Sequence, residues 1–382
     1  MKVRLLLGLA ALSLSAAEVG RPVEGGLVAH EWGTFTSVAG EEGNPIEWAP
    51  LFGAPDLPCF VDSVRVGNFS KVGIPGFVRM ETPVLYFYSQ RPQTLSVHVD
   101  FPQGLITEWY PNASKVTVDP SSQVVSVYRN GSIDWNNVQV LPGQNLEFPT
   151  SKGASRYYAA RETDAASLRI GDEREKMIFY RGVGTFITPV RPKYLSDGRL
   201  EISNFSGDTI PVAILFEKRG GKIGYRTIGK LKDPVTLDAP EMRDATEALP
   251  QLLKEMTDML MKSGLYPKEA RAMVETWRDS WFEEGIRVFY LVPRAQTDSL
   301  LPLTVTPAPA KVERVFVGRV EVLAPATRET MQHAVDRGDV ATLEKLGRFL
   351  SPFSRRLTKT TNAAQAALSA LAVSSGNATC IP

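Results

Sequence analysis

Between residues 26 and 226, apolar residues form short runs or alternate with polar ones, and turn-forming residues separate the runs. Alternation with a period of two is typical of half-buried β-strands, and helix periodicity is absent here. Asn130-Gly131, Asp197-Gly198 and Gly220-Gly221 lie between such runs, where residues that tolerate positive φ favour tight hairpins. The pattern therefore predicts antiparallel strands. The clearest of them span residues 84–88, 95–101, 115–118, 124–128, 177–180, 200–204 and 210–216.

The period changes between about residues 241 and 285, where apolar residues recur every three or four positions, as on one face of a helix. A break at Ser263-Gly264 and a restart at Pro267, suited to a first helical turn, divide this segment into two helices. Gly285 is a natural C-terminal stop. We expect a helical hairpin that packs on the sheet. The apolar stripe of its second helix consists of Met273, Val274, Trp277 and Trp281.

Strand patterns return after the hairpin, so the helices interrupt the β structure instead of forming a separate domain. The predicted fold class is α+β, mainly antiparallel β and sandwich-like, with a helical hairpin insertion and short C-terminal helices. The later strands are predicted at 286–292, 300–306 and 312–323, and the C-terminal helices at 327–337 and 340–350. The expected organisation is a β-rich domain at 18–323, a helical segment at 324–361 and an Ala/Ser/Thr-rich tail at 362–382.

The N-terminus has the pattern of an export signal. Lys2 and Arg4 precede a nearly continuous apolar run at 5–14, and the small residues at 15–17 suit a signal peptidase. The run is roughly half as long as a membrane-spanning helix. We therefore expect residues 1–17 to be a cleaved signal peptide. The mature chain is expected to be soluble and periplasmic or secreted in a bacterium, with no membrane span.

Composition narrows the possible partners. The hydrophobic fraction of 43% and the charged fraction of 22% are typical of a globular protein. The 43 basic and 42 acidic residues give a formal net charge of +1, which offers no basic face for a nucleic acid. The chain has two cysteines, Cys59 and Cys380, which an oxidising compartment allows either to form a disulfide or to remain as free thiols. The sequence leaves both alternatives open.

One block near the N-terminus, residues 29–36, contains one of the three histidines. In a strand, His30 and Trp32 would share one face and Glu31 would lie on the other. His30 is a candidate ligand-binding residue, as a metal ligand or general base, and the alternative is a structural histidine with a local hydrogen-bond partner. No H-x-x-x-H or paired-cysteine spacing occurs, so we expect no metal site and no cofactor.

Glutamates in apolar or aromatic surroundings are the candidate catalytic residues: Glu31, Glu81 and Glu108. An aromatic wall disfavours the charged form of a carboxyl group, as in the general acid of a glycosidase. The alternative is an ion pair with an arginine such as Arg79 or Arg181. Arg181 ends a predicted strand at a glycine-rich turn, where its guanidinium is also a candidate for binding an anionic ligand.

Several segments together carry a resemblance to known sequences. The block at 29–36, with the sequence AHEWGTFT, is the most distinctive of them, and the others are 80–89, 106–111 and 281–285. In these segments the chain resembles an uncharacterised family of exported bacterial proteins. The resemblance spans most of the predicted mature chain and implies a periplasmic or secreted setting. It implies no fold, activity or site residue.

These observations lead to three functional hypotheses. The first is an exported protein that binds a carbohydrate or cell-envelope polymer, with Trp32, Trp109, Tyr110 and Glu108 as contacts, because aromatic faces suit sugar rings and carboxylates accept hydroxyl hydrogen bonds. The second is a glycosidase-like hydrolase in which two of the three candidate glutamates act together, with Arg181 or His30 stabilising charge. The third is an assembly partner, which an exposed apolar stripe on the second helix would favour.

Overall fold

The computed structural model of the chain describes residues 26–51, 56–64, 74–117, 130–152, 155–354 and 366. The signal peptide predicted at 1–17 and the strand predicted at 124–128 lie outside these residues. The same is true of Cys380 and of all but one residue of the predicted tail. Those predictions therefore remain open.

Most of the β structure belongs to one ten-stranded sheet. Its strands, in spatial order, are β16 (Arg243–Asp244), β14 (Lys222–Ile228), β13 (Ala213–Arg219), β17 (Gly285–Leu291), β19 (Lys311–Val322), β1 (Val28–Ala39), β3 (Val78–Tyr88), β10 (Ile178–Gly184), β5 (Gly104–Tyr110) and β2 (Asp62–Ser63). Strands β1 and β3 are buried along their whole length, since layers cover both faces of the sheet.

Neighbouring strands of this sheet pair antiparallel, with one exception at its centre. β1 and β19 run parallel over their full twelve-residue length, from Val28 opposite Lys311 to Ala39 opposite Val322. Almost the whole chain separates these two strands. The first and last long strands of the described chain therefore lie side by side at the centre of the sheet.

Two smaller sheets cover one face of the large sheet. One has six strands: β18 (Leu303–Thr306), β4 (Gln93–Phe101), β7 (Gly131–Leu141), β8 (Ser167–Ile170) and β9 (Glu173–Glu175) in order, with β6 (Lys115–Thr117) also paired to β7. The other has three: β11 (Val190–Tyr194), β12 (Leu200–Asn204) and β15 (Val235–Leu237). A continuous apolar core, with Phe35, Trp135 and Tyr290 among its members, fills the space between these layers.

The opposite face of the large sheet carries a helical hairpin, α1 (Ala245–Lys262) and α2 (Pro267–Trp281), as predicted. Asp244 caps α1 by accepting a hydrogen bond from the backbone N–H of Thr246. All four residues of the predicted stripe on α2 are buried in a second core with Trp32 and Phe289 of the sheet. The stripe is thus part of the core and presents no exposed apolar face.

Shorter helices complete the described fold. They are α3 (Arg294–Leu300), α4 (Pro325–Arg337), α5 (Val340–Glu344) and α6 (Leu350–Ser354), with 3-10 helices at Arg156–Arg161 and Gly347–Phe349. No helix within the described ranges is both long and apolar enough to cross a membrane.

The predicted fold class, α+β and mainly antiparallel β, is confirmed, and the errors are local. The strand predicted at 300–306 begins only at Leu303, because the preceding residues form α3. The helix predicted at 340–350 ends at Glu344, and it does not resume through Gly347, whose φ of +51° lies in the left-handed region. The hairpin ends at Trp281, before the predicted stop at Gly285, which instead opens β17.

Candidate functional site

A cavity of about 450 Å³ opens where the three sheets meet, on the side of the large sheet opposite the helical hairpin. Its floor consists of buried aromatic rings: Phe35 of β1, Tyr290 of β17 and Phe186, which follows β10. The ring of Tyr290 lies directly over Gly318 of β19, where an added Cβ would come within 2.0 Å of the ring. Glycine at 318 therefore lets Tyr290 occupy this position.

Two apolar side chains at the mouth of this cavity face solvent. Ile187 is 54% exposed and Phe205 is 61% exposed. Within the described part of the chain, these are the large hydrophobic side chains that stand exposed, and both line the same cavity. Exposed apolar side chains at a concave surface are a common mark of a ligand-binding site.

Hydrogen bonds in the surrounding loops fix the backbone at Phe205. The backbone N–H of Phe205 donates to the carbonyl of Pro189 at 3.0 Å, which joins the loop after β12 to the loop before β11. The amide of Asn204 donates to the carbonyls of Asp208 and Leu231, and its oxygen accepts from the N–H of Ser206. This closed turn holds Phe205 outward, although an aromatic ring would otherwise be expected to be buried.

Polar groups complete the wall. Gln103 comes from the turn between β4 and β5, and Gln296 and Ser299 come from α3. Arg191 and Asp208 are the charged residues of the lining, and neither side chain forms an ion pair with any residue that the structure describes. The guanidinium of Arg191 stands over the Phe205 ring, 4.1 Å from its centroid.

The floor of the cavity also has an uncharged polar end. Burial raises the pKa of the Tyr290 phenol above its ordinary value, and a hydrogen bond with Thr188 opposes this shift only in part. Thr188 in turn shares a 2.9 Å hydrogen bond with Ser37. Tyr290 is therefore a neutral hydroxyl at physiological pH, and the floor carries no charge.

Glu31, a predicted catalytic residue, helps to hold one wall of this cavity without lining it. Its carboxylate is wholly buried, accepts a hydrogen bond from Tyr180 and pairs with Arg314 at 2.5 Å. Arg314 also binds Asp298 of α3 at 2.8 Å. Because α3 supplies Gln296 and Ser299, this chain of ion pairs positions that wall.

The other two predicted catalytic residues, Glu81 and Glu108, belong to a buried ion-pair network. Arg181 binds Glu108 at 3.1 Å and Asp56 at 2.9 Å. Arg79 binds Asp56 at 2.9 Å and lies 3.9 Å from Glu81. Burial alone would lower the pKa of Arg181, but the carboxylates of Asp56 and Glu108 raise it above its ordinary value. Arg181 is therefore a permanent cation, and its ion pairs fix the positions of the Asp56 and Glu108 carboxylates.

His30 and Trp32 face the helical hairpin, while Glu31 faces the other layer, as the alternation predicted. The His30 Nδ1 lies 2.8 Å from Oε2 of Glu269 on α2. Tyr88 donates to the other oxygen of the same carboxylate at 2.6 Å. His30 thus has a structural partner that joins the sheet to α2, and neither His30 nor Trp32 has any exposed surface.

The remaining predicted ligand contacts lie outside the cavity. Tyr110 is buried against Phe60, with ring centroids 4.7 Å apart. Trp109 is half-buried and packs on the core from the opposite face of β5. Cys59 is half-buried, and its proposed disulfide partner lies outside the described residues. None of these residues forms part of the cavity wall.

Histidine and acidic residues in the described chain form no group of three that is placed to hold a metal ion. A smaller polar cluster, centred on His98, lies on the solvent face of β4. The His98 Nδ1 lies 2.7 Å from Asp134, and its Nε2 lies 3.1 Å from Asp100. Two carboxylates therefore favour an imidazolium that donates from both nitrogens.

We expect the pKa of His98 in the folded protein to lie above 6.5 and to fall in an Asp134→Asn variant. Partial burial alone would lower the pKa, but the hydrogen bond to Asp134 and the charge of Asp100 outweigh it. The resulting stabilisation is present below the pKa of the unfolded chain and is lost as pH rises through the higher folded pKa. An NMR pH titration of the imidazole C–H resonances measures this pKa. An unchanged pKa in the variant would contradict the assignment.

Sequence patterns did not single out the cavity residues Ile187, Arg191 and Phe205. One signal was present for Phe205: an aromatic residue stands in the segment Asn204-Phe205-Ser206-Gly207, whose other residues favour a turn. An aromatic side chain in a turn has few neighbours along the chain to bury it. No comparable signal distinguishes Arg191 from the other arginines that follow strand patterns.

No protein-family model matches the sequence, and no curated protein matches it. Solved structures give only weak similarity. The yeast delta-COP-I mu-homology domain is 8% identical, with a TM-score of 0.29 over 80% of this chain and 100% of that chain. The same yeast domain complexed with a Dsl1 WxWxV peptide is 6% identical, with a TM-score of 0.29 over 79% of this chain and 100% of that chain. Similarity at this level supports no conclusion about fold or function.

Proposed function

We propose that this chain is an exported bacterial protein that binds a carbohydrate or a fragment of a cell-envelope polymer in the cavity between the three sheets. One observation carries the proposal. The exposed apolar side chains of Ile187 and Phe205 meet at the mouth of a cavity whose walls present amide, hydroxyl and carboxylate groups. A volume of about 450 Å³ is within the usual range for a small-ligand site.

Sugar chemistry suits this lining. A pyranose ring has an apolar C–H face and a rim of hydroxyl groups that both donate and accept hydrogen bonds. Phe205 and Ile187 offer an apolar platform, while Gln103 and Gln296 can donate and accept, and Asp208 can accept from two hydroxyls. The buried floor is neutral, so it favours an uncharged part of the ligand.

The contacts in this proposal differ from those first predicted, although the ligand class is the same. Trp32, Tyr110 and Glu108 are buried and engaged with other residues, so the cavity residues take their place. The hydrolase alternative gains no support, because Glu31 and Glu108 lie in separate buried ion pairs. The assembly alternative gains none from the α2 stripe, which is buried.

Calorimetric titration with soluble glycans and peptidoglycan fragments tests the proposal. We expect at least one ligand of the panel to bind, and Phe205→Ala to weaken its binding about tenfold, equivalent to about 1.4 kcal/mol. The loss follows from removal of the exposed ring on which the sugar packs. Ile187→Asn is expected to act in the same direction.

Tyr225→Ala is the matched control, since it removes a partly exposed aromatic ring from β14, outside the cavity wall. This control should bind as the unmodified protein does. If no glycan binds, or if Phe205→Ala binds as tightly as the control, the proposed function is wrong.

A further inference from the structure

Arg191 has different surroundings from the buried arginines Arg181, Arg314 and Arg319. Its Nε is buried without a hydrogen-bond partner, and its guanidinium pairs with no carboxylate in the described part of the chain. By contrast, Arg181, Arg314 and Arg319 each bind one or more carboxylates. The cavity wall therefore includes a cation that no carboxylate of the described residues neutralises.

We infer that the cavity recognises an acidic sugar, one that carries a carboxylate, and that Arg191 binds this carboxylate. The inference rests on the proposed function, since it specifies the class of ligand for the same site. Guanidinium groups both stack on aromatic rings and bind carboxylates through paired N–H donors. Phe205, 4.1 Å from the Arg191 guanidinium carbon, holds the group at the mouth of the cavity in this way.

The second charged group of the lining fits the same ligand class. Asp208 is exposed and makes no ion pair with Arg191 or with any other described residue, so it does not neutralise the cation. A carboxylate would repel an anionic group but accept hydrogen bonds from hydroxyls. A sugar acid offers both chemistries, with its carboxylate for Arg191 and its hydroxyls for Asp208 and the glutamines.

Two sources provide such a ligand: uronate residues of a polysaccharide, and the lactyl carboxylate of muramic acid in glycan strands from which the stem peptide has been removed. Their shared chemistry is a carboxylate carried by a pyranose. Titrations with oligogalacturonides and with peptide-free muramyl saccharides distinguish the sources. Galacto-oligosaccharides and the methyl-esterified oligogalacturonides are the uncharged counterparts of the first ligand.

In calorimetric titrations of the full mature chain, the acidic sugar should bind at least about tenfold more tightly than its uncharged counterpart. Arg191→Gln should abolish this preference, so that the variant binds the acidic sugar no more tightly than its uncharged counterpart. Arg191→Lys should retain part of the preference, because it keeps the charge but loses the paired donors. Added salt should reduce the preference in the unmodified protein.

Arg226→Gln, which removes an exposed arginine from β14 outside the cavity, is the control and should keep the full preference. Melting temperatures of both glutamine variants establish that they are folded. Equal binding of acidic and uncharged sugars, or a preference that survives in Arg191→Gln, would overturn this inference and leave the proposed function standing. Binding of neither class would overturn both.

Discussion

Replacement of Glu31 by alanine is expected to lower the free energy of unfolding by about 3 to 5 kcal/mol. Glu31 is wholly buried and is the carboxylate partner of Arg314, which is itself 5% exposed. Without Glu31, the guanidinium keeps only the partly exposed Asp298 as an ion-pair partner, and Tyr180 loses its acceptor. Urea denaturation of the variant and the unmodified protein measures the difference.

A double variant separates the effect of losing the Glu31–Arg314 ion pair from the effect of losing side-chain volume. Glu31→Leu combined with Arg314→Met removes both charges and fills the same space, so it should recover most of the stability lost in either single variant. A catalytic role for Glu31 would instead predict near-normal stability in Glu31→Ala. That result would contradict the structural role assigned to this residue.

Replacement of Glu321 by alanine is expected to have an effect at the upper end of the same range, about 5 kcal/mol. Its two oxygens bind two fully buried cations, Arg287 at 2.9 Å and Arg319 at 3.0 Å. Burial lowers the pKa of Arg287, and Glu321 is the main group that opposes this shift. After the substitution, Arg287 would retain only carbonyl partners, while Arg319 would retain Glu283.

Such a loss is comparable to the whole stability of many domains, so soluble yield and melting temperature are measured together with urea denaturation. Glu321→Gln keeps the side-chain shape and two polar atoms, and should be less damaging than alanine. Glu275→Ala is the control, since Glu275 pairs with Arg278 on the exposed surface of α2, where a salt bridge contributes about 0 to 1 kcal/mol. If the Glu321 and Glu275 variants are equally stable, the buried network does not stabilise the fold as described.

Local patterns predicted much of the fold because each depends on near neighbours in sequence. Alternation placed His30 and Trp32 on one face of β1 and Glu31 on the other. The period of three to four residues located the helical hairpin. Parallel pairing of β1 with β19 could not be predicted in this way, because its register depends on residues that the intervening chain brings together.

The cavity could not be predicted either, because it is formed by residues that are far apart in the sequence. Its lining comes from β1, β11, β17, α3 and four connecting segments, and no segment carries enough of it to form a motif. Arg181 and Arg191 illustrate the difficulty, because both follow or lie in short strands. Arg181 meets Asp56 and Glu108 from distant parts of the chain, whereas Arg191 meets no carboxylate in the described structure. Only the folded arrangement distinguishes a structural arginine from one available to a ligand.

The decisive experiment is a crystal structure of residues 18–382 soaked with the glycan that binds most tightly in titration. We expect a sugar ring packed against Phe205 in the cavity, with polar contacts from Gln103, Gln296 or Asp208. Bound sugar at another surface, with the cavity between the three sheets containing only solvent, would contradict this expectation.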